Sequence, residues 1–103
     1  FLNIAGGLKV NDPAIDLAVI SAILSSSLDI SIEPGISMCG EVGLSGEIRP
    51  VNRIEQRILE AEKLGFSRII IPHNNLKGFD TSKCKMQIVQ VRKVEEAFRQ
   101  LFG

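Results

Sequence analysis

The sequence predicts one mixed α/β domain with elements in the order β-α-β-β-α-β-β-α. Three observations carry this. The run Ile69-Ile70-Ile71 has no polar break, as in a strand covered on both faces. Val94, Ala97, Phe98, Leu101 and Phe102 fall at i, i+3, i+4, i+7 and i+8, the spacing of one helix face. Gly43-Leu44-Ser45-Gly46 separates two short segments as a tight turn between strands would. Strand and helix patterns alternate along the chain, which is how mixed α/β domains read.

Taken in order, Phe1 to Val10 reads as a strand interrupted at Gly6-Gly7, where adjacent glycines suggest a bulge or a close backbone approach. Asp12-Pro13 starts a helix: aspartate caps free amides and proline fits the first helical position. From Ala14 to about Leu28 that helix is apolar on nearly every side, so it should be buried between layers. Asp16 is its odd residue, a carboxylate in the favourable first turn. Ser25-Ser26-Ser27 and Glu33-Pro34-Gly35 frame a loop, and Ile36 to Val42 resumes as a strand. Gly43 and Gly46 should supply positive φ for the turn into a strand over Glu47 to Val51. Asn52 with Glu55 has capping-box spacing for the next helix. Ile54, Ile58, Ala61 and Leu64 form its apolar stripe, and Gly65 ends it. Met86 to Val91 is a further strand before the last helix.

With 103 residues, 45% hydrophobic and 23% charged, the chain is the size and composition of one globular domain. No linker, repeat or low-complexity stretch divides it. The opening at Phe1 reads as the start of a domain cut from a longer protein. The longest apolar run, Ala18 to Leu24, is too short to cross a bilayer, and no signal-peptide pattern is present, so no membrane partner is expected. Cys39 and Cys84 are too few for a zinc site and read as free thiols of a cytoplasmic protein. Twelve basic residues balance twelve acidic ones, so any nucleic-acid contact must come from a local cluster.

The candidate cluster is Arg49, Arg53 and Arg57. Arg53 and Arg57 stand one helical turn apart, where like charges repel mildly unless an anion or a carboxylate such as Glu60 relieves them. Lys77, Lys83 and Lys85 form a second, more ambiguous group near Asp80. His73, the only histidine, follows the apolar strand and reads as a solvated loop residue. Glu41 and Glu47 bracket the glycine turn and read as framework. Ser21 and Ser25 to Ser27 have no lysine or histidine nearby in sequence to activate them. Gly6-Gly7 lacks the pattern of a phosphate-binding loop, so no nucleotide or other cofactor is expected in this domain.

The ordered motifs Gly40-Glu41-Val42-Gly43-Leu44-Ser45-Gly46-Glu47-Ile48-Arg49-Pro50, the helix Arg53 to Leu64, Gly65 and the strand Arg68 to Pro72 resemble the proteolytic domain of Lon proteases. They are similar in particular to the Lon-like domain that ends the RadA (Sms) family of bacterial DNA-repair ATPases. The resemblance spans nearly the whole chain, from Phe1-Leu2-Asn3-Ile4-Ala5-Gly6-Gly7 through Asp12-Pro13-Ala14 to Phe66.

By that resemblance, Asp12-Pro13-Ala14-Ile15-Asp16 stands where the family carries its serine motif, with Ala14 at the nucleophile. Arg57 stands at the catalytic lysine. Alanine offers no hydroxyl, and arginine keeps its proton and cannot act as the base, so no peptidase chemistry is expected. The resemblance implies an oligomerisation scaffold and DNA-binding platform for a recombination and branch-migration ATPase. Its partners would be further copies of itself, in a hexameric ring, and DNA phosphates met through Arg49, Arg53 and Arg57. The ring-forming scaffold without DNA contact and, further off, a divergent peptidase are the competing readings.

Overall fold

A computed structural model describes residues 12–76 and 78–103, apart from the side chain of Lys83. The expected first strand over residues 1–10 and the cation at Lys77 lie outside the described residues. A single 3-10 turn, Pro13–Ile15, leads into helix α1, Asp16–Leu28. Then follow strands β1 (Ile36–Met38), β2 (Glu41–Val42) and β3 (Ile48–Arg49), and helix α2 (Ile54–Lys63). Strand β4 (Arg68–Pro72), a 3-10 turn at Thr81–Lys83, strand β5 (Gln87–Val91) and helix α3 (Val94–Phe102) complete the order.

Among the described residues, β1, β4 and β5 form a parallel sheet in the order β1-β4-β5, and β2 and β3 form a separate antiparallel hairpin. The α/β class is as the sequence predicted. Among the described residues the parallel and antiparallel pairings fall in these two sheets.

The unbroken Ile69-Ile70-Ile71 run feeds two cores. Ile70 joins Leu17, Ile36, Ile48, Val91, Ala97 and Leu101 on one side of the sheet. Ile69 and Ile71 join Cys39, Ile54, Ile58, Ala61 and Met86 on the other. Successive strand side chains point to opposite faces, so each isoleucine serves the layer its position dictates. Helices α1 and α3 thus cover one face and α2 the other. Burying each isoleucine contributes about 1.5–3 kcal/mol. The stripe on α3 packs as its spacing demands, with Ala97 and Leu101 buried and Val94 and Phe102 half-buried against them.

Several local expectations are corrected. The strand expected over Ile36 to Val42 breaks at Cys39-Gly40. There the Gly40 amide donates to the Ala14 carbonyl (2.9 Å) and the Leu17 amide donates to the Gly40 carbonyl (3.0 Å). The start of α1 takes the backbone groups that a continuous strand would need. The strand expected over Glu47 to Val51 shortens to two residues, because the Asn75 side-chain amide takes both backbone groups of Val51 (2.8 and 3.2 Å). Asn52 does not cap α2. Arg53 occupies the cap position in the left-handed region, φ 59, and no side chain caps that end. Glu96 instead supplies the carboxylate of such a motif, accepting from the backbone amides of Arg92 (2.6 Å) and Lys93 (3.0 Å) at the head of α3.

Helix α1 also departs from expectation. Its Leu17 and Ser21 are buried, but Ile23 is 61% exposed and Leu28 51% exposed. Layers cover one side of it, not both.

Candidate functional site

Asp12 behaves as its position demands: its Oδ1 accepts the Ala14 amide at 3.0 Å, closing the turn at Pro13. That turn buries Ala14 at the head of α1. Arg57, one turn into α2, donates from Nε to the Asn52 carbonyl (2.8 Å) and lies 3.6 Å from Asp12 Oδ2 through Nη2. Arg57 is therefore engaged by Asp12; Glu60 is not its ion-pair partner among the described residues.

Two hollows meet at these residues. The larger, about 620 Å3, runs between α1, β1 and α2, with Ile15, Ala18, Met38, Leu64 and Phe66 among its apolar walls and Arg53 and Arg57 on its polar side. The smaller, about 270 Å3, adjoins Asp12, Pro50, Val51 and Asn52. Ala14 and Arg57 line both. The tertiary fold thus brings together the two positions that the sequence singled out. What stands there is a methyl group and a guanidinium held by a carboxylate.

Cys39 also lines the larger hollow, but burial pushes its thiol up to about 11, against a smaller opposing pull from Arg57. A thiol so placed stays protonated and unreactive near neutrality. Cys84 is half-buried and its thiol is likewise raised, chiefly by desolvation; both cysteines are free. Ser21 is fully buried and its Oγ has no hydrogen-bond partner among the described residues, in the interior of α1 rather than on the cleft.

The three arginines have different surroundings. Arg49 is exposed on β3, pairs with Glu47 at 3.0 Å and sits directly opposite Glu41 in the hairpin register. Directly opposed residues share one face, so Arg49 is flanked by two carboxylates. Arg57 is half-buried and tied to Asp12. Arg53 makes no ion pair among the described residues and lies exposed at the cleft rim. Its left-handed backbone costs a non-glycine residue about 1–2 kcal/mol. The structure joins Arg53 and Arg57 at one cleft and sets Arg49 on the hairpin.

Sequence reasoning missed the tie at the C-terminal ends of the parallel strands. There Arg92 Nη2 lies 3.0 Å from His73 Nε2, so His73 is not simply solvated. Asp16 Oδ2 accepts the Val42 amide at 3.1 Å and fastens the hairpin to α1. Lys85 donates its backbone amide to Glu62 at 2.6 Å. Among the described residues no group of three or more His, Cys, Asp and Glu is placed to hold a metal. No helix among them is long and apolar enough to cross a membrane.

The fold, with a helix opening at the Asp12-Pro13 turn and a second helix placing Arg57 beside it, defines the class. Residues 4–103 match the Lon protease (S16) C-terminal proteolytic domain, and the chain belongs to that family. The particular relatives are equally plain. The chain is 48% identical over 103 residues to DNA repair protein RadA of Bacillus subtilis (strain 168), covering 100% of this chain and 22% of that protein. It is 49% identical to DNA repair protein RadA of Streptococcus pneumoniae (strain ATCC BAA-255 / R6), covering 100% of this chain and 24% of that one. DNA repair protein RadA of Halalkalibacterium halodurans is 42% identical, again over 100% of this chain and 22% of the relative. The chain therefore spans less than a quarter of the length of these curated relatives.

Proposed function

We propose that this domain is a catalytically silent member of the Lon proteolytic family, acting as an assembly scaffold and DNA-contact platform within a DNA-repair ATPase. One observation carries the loss of catalysis: Ala14 and Arg57 line the same cleft, and the guanidinium is held by Asp12 and the Asn52 carbonyl. Peptide hydrolysis on the family's plan needs a hydroxyl and a neutral amine there. The relatives named for DNA repair support the wider role.

Within that role, Arg53 is the arginine best placed to meet phosphate. Contacts of this kind are sequence-independent and weaken as salt rises. Repetition around a ring would supply the affinity that one domain lacks. A specific observation favours the alternative of a ring scaffold without DNA contact: Arg49 stands between Glu41 and Glu47, and Arg57 is already paired.

The catalytic half is tested with a fluorophosphonate serine-hydrolase probe and a casein substrate. No labelling and no turnover are expected, also after Ala14→Ser with Arg57→Lys, because Asp12 and Asp16 stand where the family's serine motif carries glycines. Labelling of the unsubstituted chain would overturn the reading. The DNA half is tested by duplex binding of an assembled full-length parent carrying Arg53→Glu. Unchanged affinity and salt slope would leave the scaffold reading alone.

A further inference from the structure

His73 and Arg92 occupy matching places at the C-terminal end of the parallel sheet. Each follows its strand directly, and Pro72 of β4 pairs in register with Val91 of β5. The His73 amide donates to the Val91 carbonyl at 2.8 Å, which fixes the two residues at one level. Their side chains meet, with Arg92 Nη2 3.0 Å from His73 Nε2. A guanidinium can only donate, so Nε2 accepts and the ring is neutral, with its proton on Nδ1.

Arg49 is engaged by Glu47 and Arg57 by Asp12, whereas Arg92 makes no ion pair among the described residues. It lies exposed, and of the five N–H donors of a guanidinium only the one toward His73 is engaged among them. A neutral imidazole holds the fork in place without cancelling its charge.

The charged groups of the surrounding elements are largely committed elsewhere. Glu96 of α3 uses Oε1 on the backbone amides of Arg92 (2.6 Å) and Lys93 (3.0 Å). Those amides come first in holding its carboxyl low, and the charges of Arg92 and Arg99 come last. Glu47, bridged through its backbone to Lys93, is tied to Arg49 at 3.0 Å. Lys93 and Glu95, both exposed at the head of α3, offset each other in charge. Asn74 and Asn75, which follow His73, carry none. In open α/β sheets, ligands gather outside the carboxyl ends of the parallel strands, where this cation stands.

We propose that Arg92, oriented by His73, is a contact for a phosphate group of a nucleic-acid strand. This rests on the DNA-contact reading above and adds to Arg53 a second point of contact. A phosphate accepts from two N–H groups of the guanidinium at once. Its charge also favours protonation of the neighbouring imidazole, whose Nε2 then donates instead of accepting. Two cations in contact repel in the free protein, and the anion relieves that repulsion. Binding is therefore linked to proton uptake at His73, a positioning residue, and tightens as pH falls.

His73 is the only histidine of the 103 residues, so its ring signals are identified without ambiguity. NMR of this chain at low salt should show the Nδ1–H tautomer when the ring is neutral. Inorganic phosphate should raise the titration midpoint of the ring by about 0.5 or more, and Arg92→Gln should abolish that change. In the assembled full-length parent, duplex affinity should be at least about 3-fold higher near pH 6 than near pH 8. Arg92→Gln should weaken it about 3–10-fold and make the salt slope shallower by about 1. His73→Gln keeps an acceptor and removes the titration, so it should hold the affinity near pH 8 and flatten the pH dependence. Arg99→Gln, also on α3, should change neither. A midpoint unmoved by about 50 mM phosphate, or moved equally in Arg92→Gln, overturns the site. Duplex binding lost in Arg53→Glu but unchanged in Arg92→Gln overturns it while leaving the DNA-contact reading standing. Phosphate binding that depends on Arg92, with duplex binding that does not, assigns the site to a small anion and overturns the nucleic-acid partner.

Discussion

Asp12 serves two partners at once: Oδ1 accepts the Ala14 amide at 3.0 Å while Oδ2 lies 3.6 Å from the Arg57 guanidinium. One carboxylate therefore closes the first turn of α1 and ties it to α2. Both side chains are about a third exposed, so solvent screens the ion pair and the cap is the larger contribution.

That division predicts unequal losses. Asp12→Asn keeps an acceptor for the cap and removes the charge, and should cost about 0.5 kcal/mol. Asp12→Ala removes both and should cost about 1–2 kcal/mol. Urea midpoints at neutral pH measure each. Equal losses from the two variants would show the ion pair to be the dominant interaction.

Of Gly43 and Gly46, both expected to supply positive φ, only Gly46, at +81, does so. At Gly43 an added Cβ would run into the Glu47 carboxylate, and at Gly40 it would sit 2.8 Å from Ile48 in the core. A carboxylate at the end of a flexible side chain can move, at the loss of its bonds to Ser45 and Arg49. A buried isoleucine has nowhere to go. We predict that Gly40→Ala costs about 1–3 kcal/mol and Gly43→Ala about 0.5–1.5. The Gly43→Ala loss should largely vanish in a Glu47→Ala background, as a double-mutant cycle reads it.

Acid should destabilise the domain through a few identifiable carboxylates. Glu96 is held below its ordinary value first by the Arg92 amide and then by the Lys93 amide, Glu62 first by the Lys85 amide, and Asp80 first by the Ser82 hydroxyl. A depressed folded pKa means that the unfolded chain takes up protons first as pH falls. The stability these groups contribute is present above about pH 4.5 and is lost as pH drops through their folded values. Glu96→Gln should lower stability at neutral pH and flatten part of the acid limb of the midpoint-against-pH curve. An unaltered limb would contradict the assignment.

Cys39 sets the opposite limit. Its folded value near 11 is raised from 9.0, so its contribution is whole below pH 9 and is lost as pH rises toward 11. At neutral pH iodoacetamide should modify half-buried Cys84 while Cys39 stays unmodified until urea unfolds the chain, as peptide mass mapping would show. Rapid native labelling of Cys39 would mean that the cleft opens on the labelling timescale.

Arg53 offers a test with two readouts of different direction. Glycine adopts φ 59 freely, so Arg53→Gly should leave stability within about 1 kcal/mol of the original or raise it slightly. Duplex affinity in the full-length parent should fall at the same time, with a shallower salt slope. Arg49→Gln, beside Glu41 and Glu47, should change binding little. Equal effects from the two would show that the hairpin arginine is as available to phosphate as the cleft arginine.

The α/β class, the extents of α2, β4 and α3, and the Asp12-Pro13 start were all legible in the chain, because apolar period and capping chemistry act over a few residues. Ala14 and Arg57 were named from the resemblance, and both line the larger hollow. What could not be read was where each polar group spends its bonds. The Ile36 to Val42 strand breaks because the start of α1 takes the Gly40 backbone, and Val51 leaves its strand because Asn75 holds it. Arg57 finds Asp12 rather than Glu60, and His73 finds Arg92. Each of these partners is distant along the chain. Local sequence fixes which segments become helix or strand, whereas long-range packing decides which backbone group and which charge meet, and so which arginine at the cleft has no ion pair among the described residues.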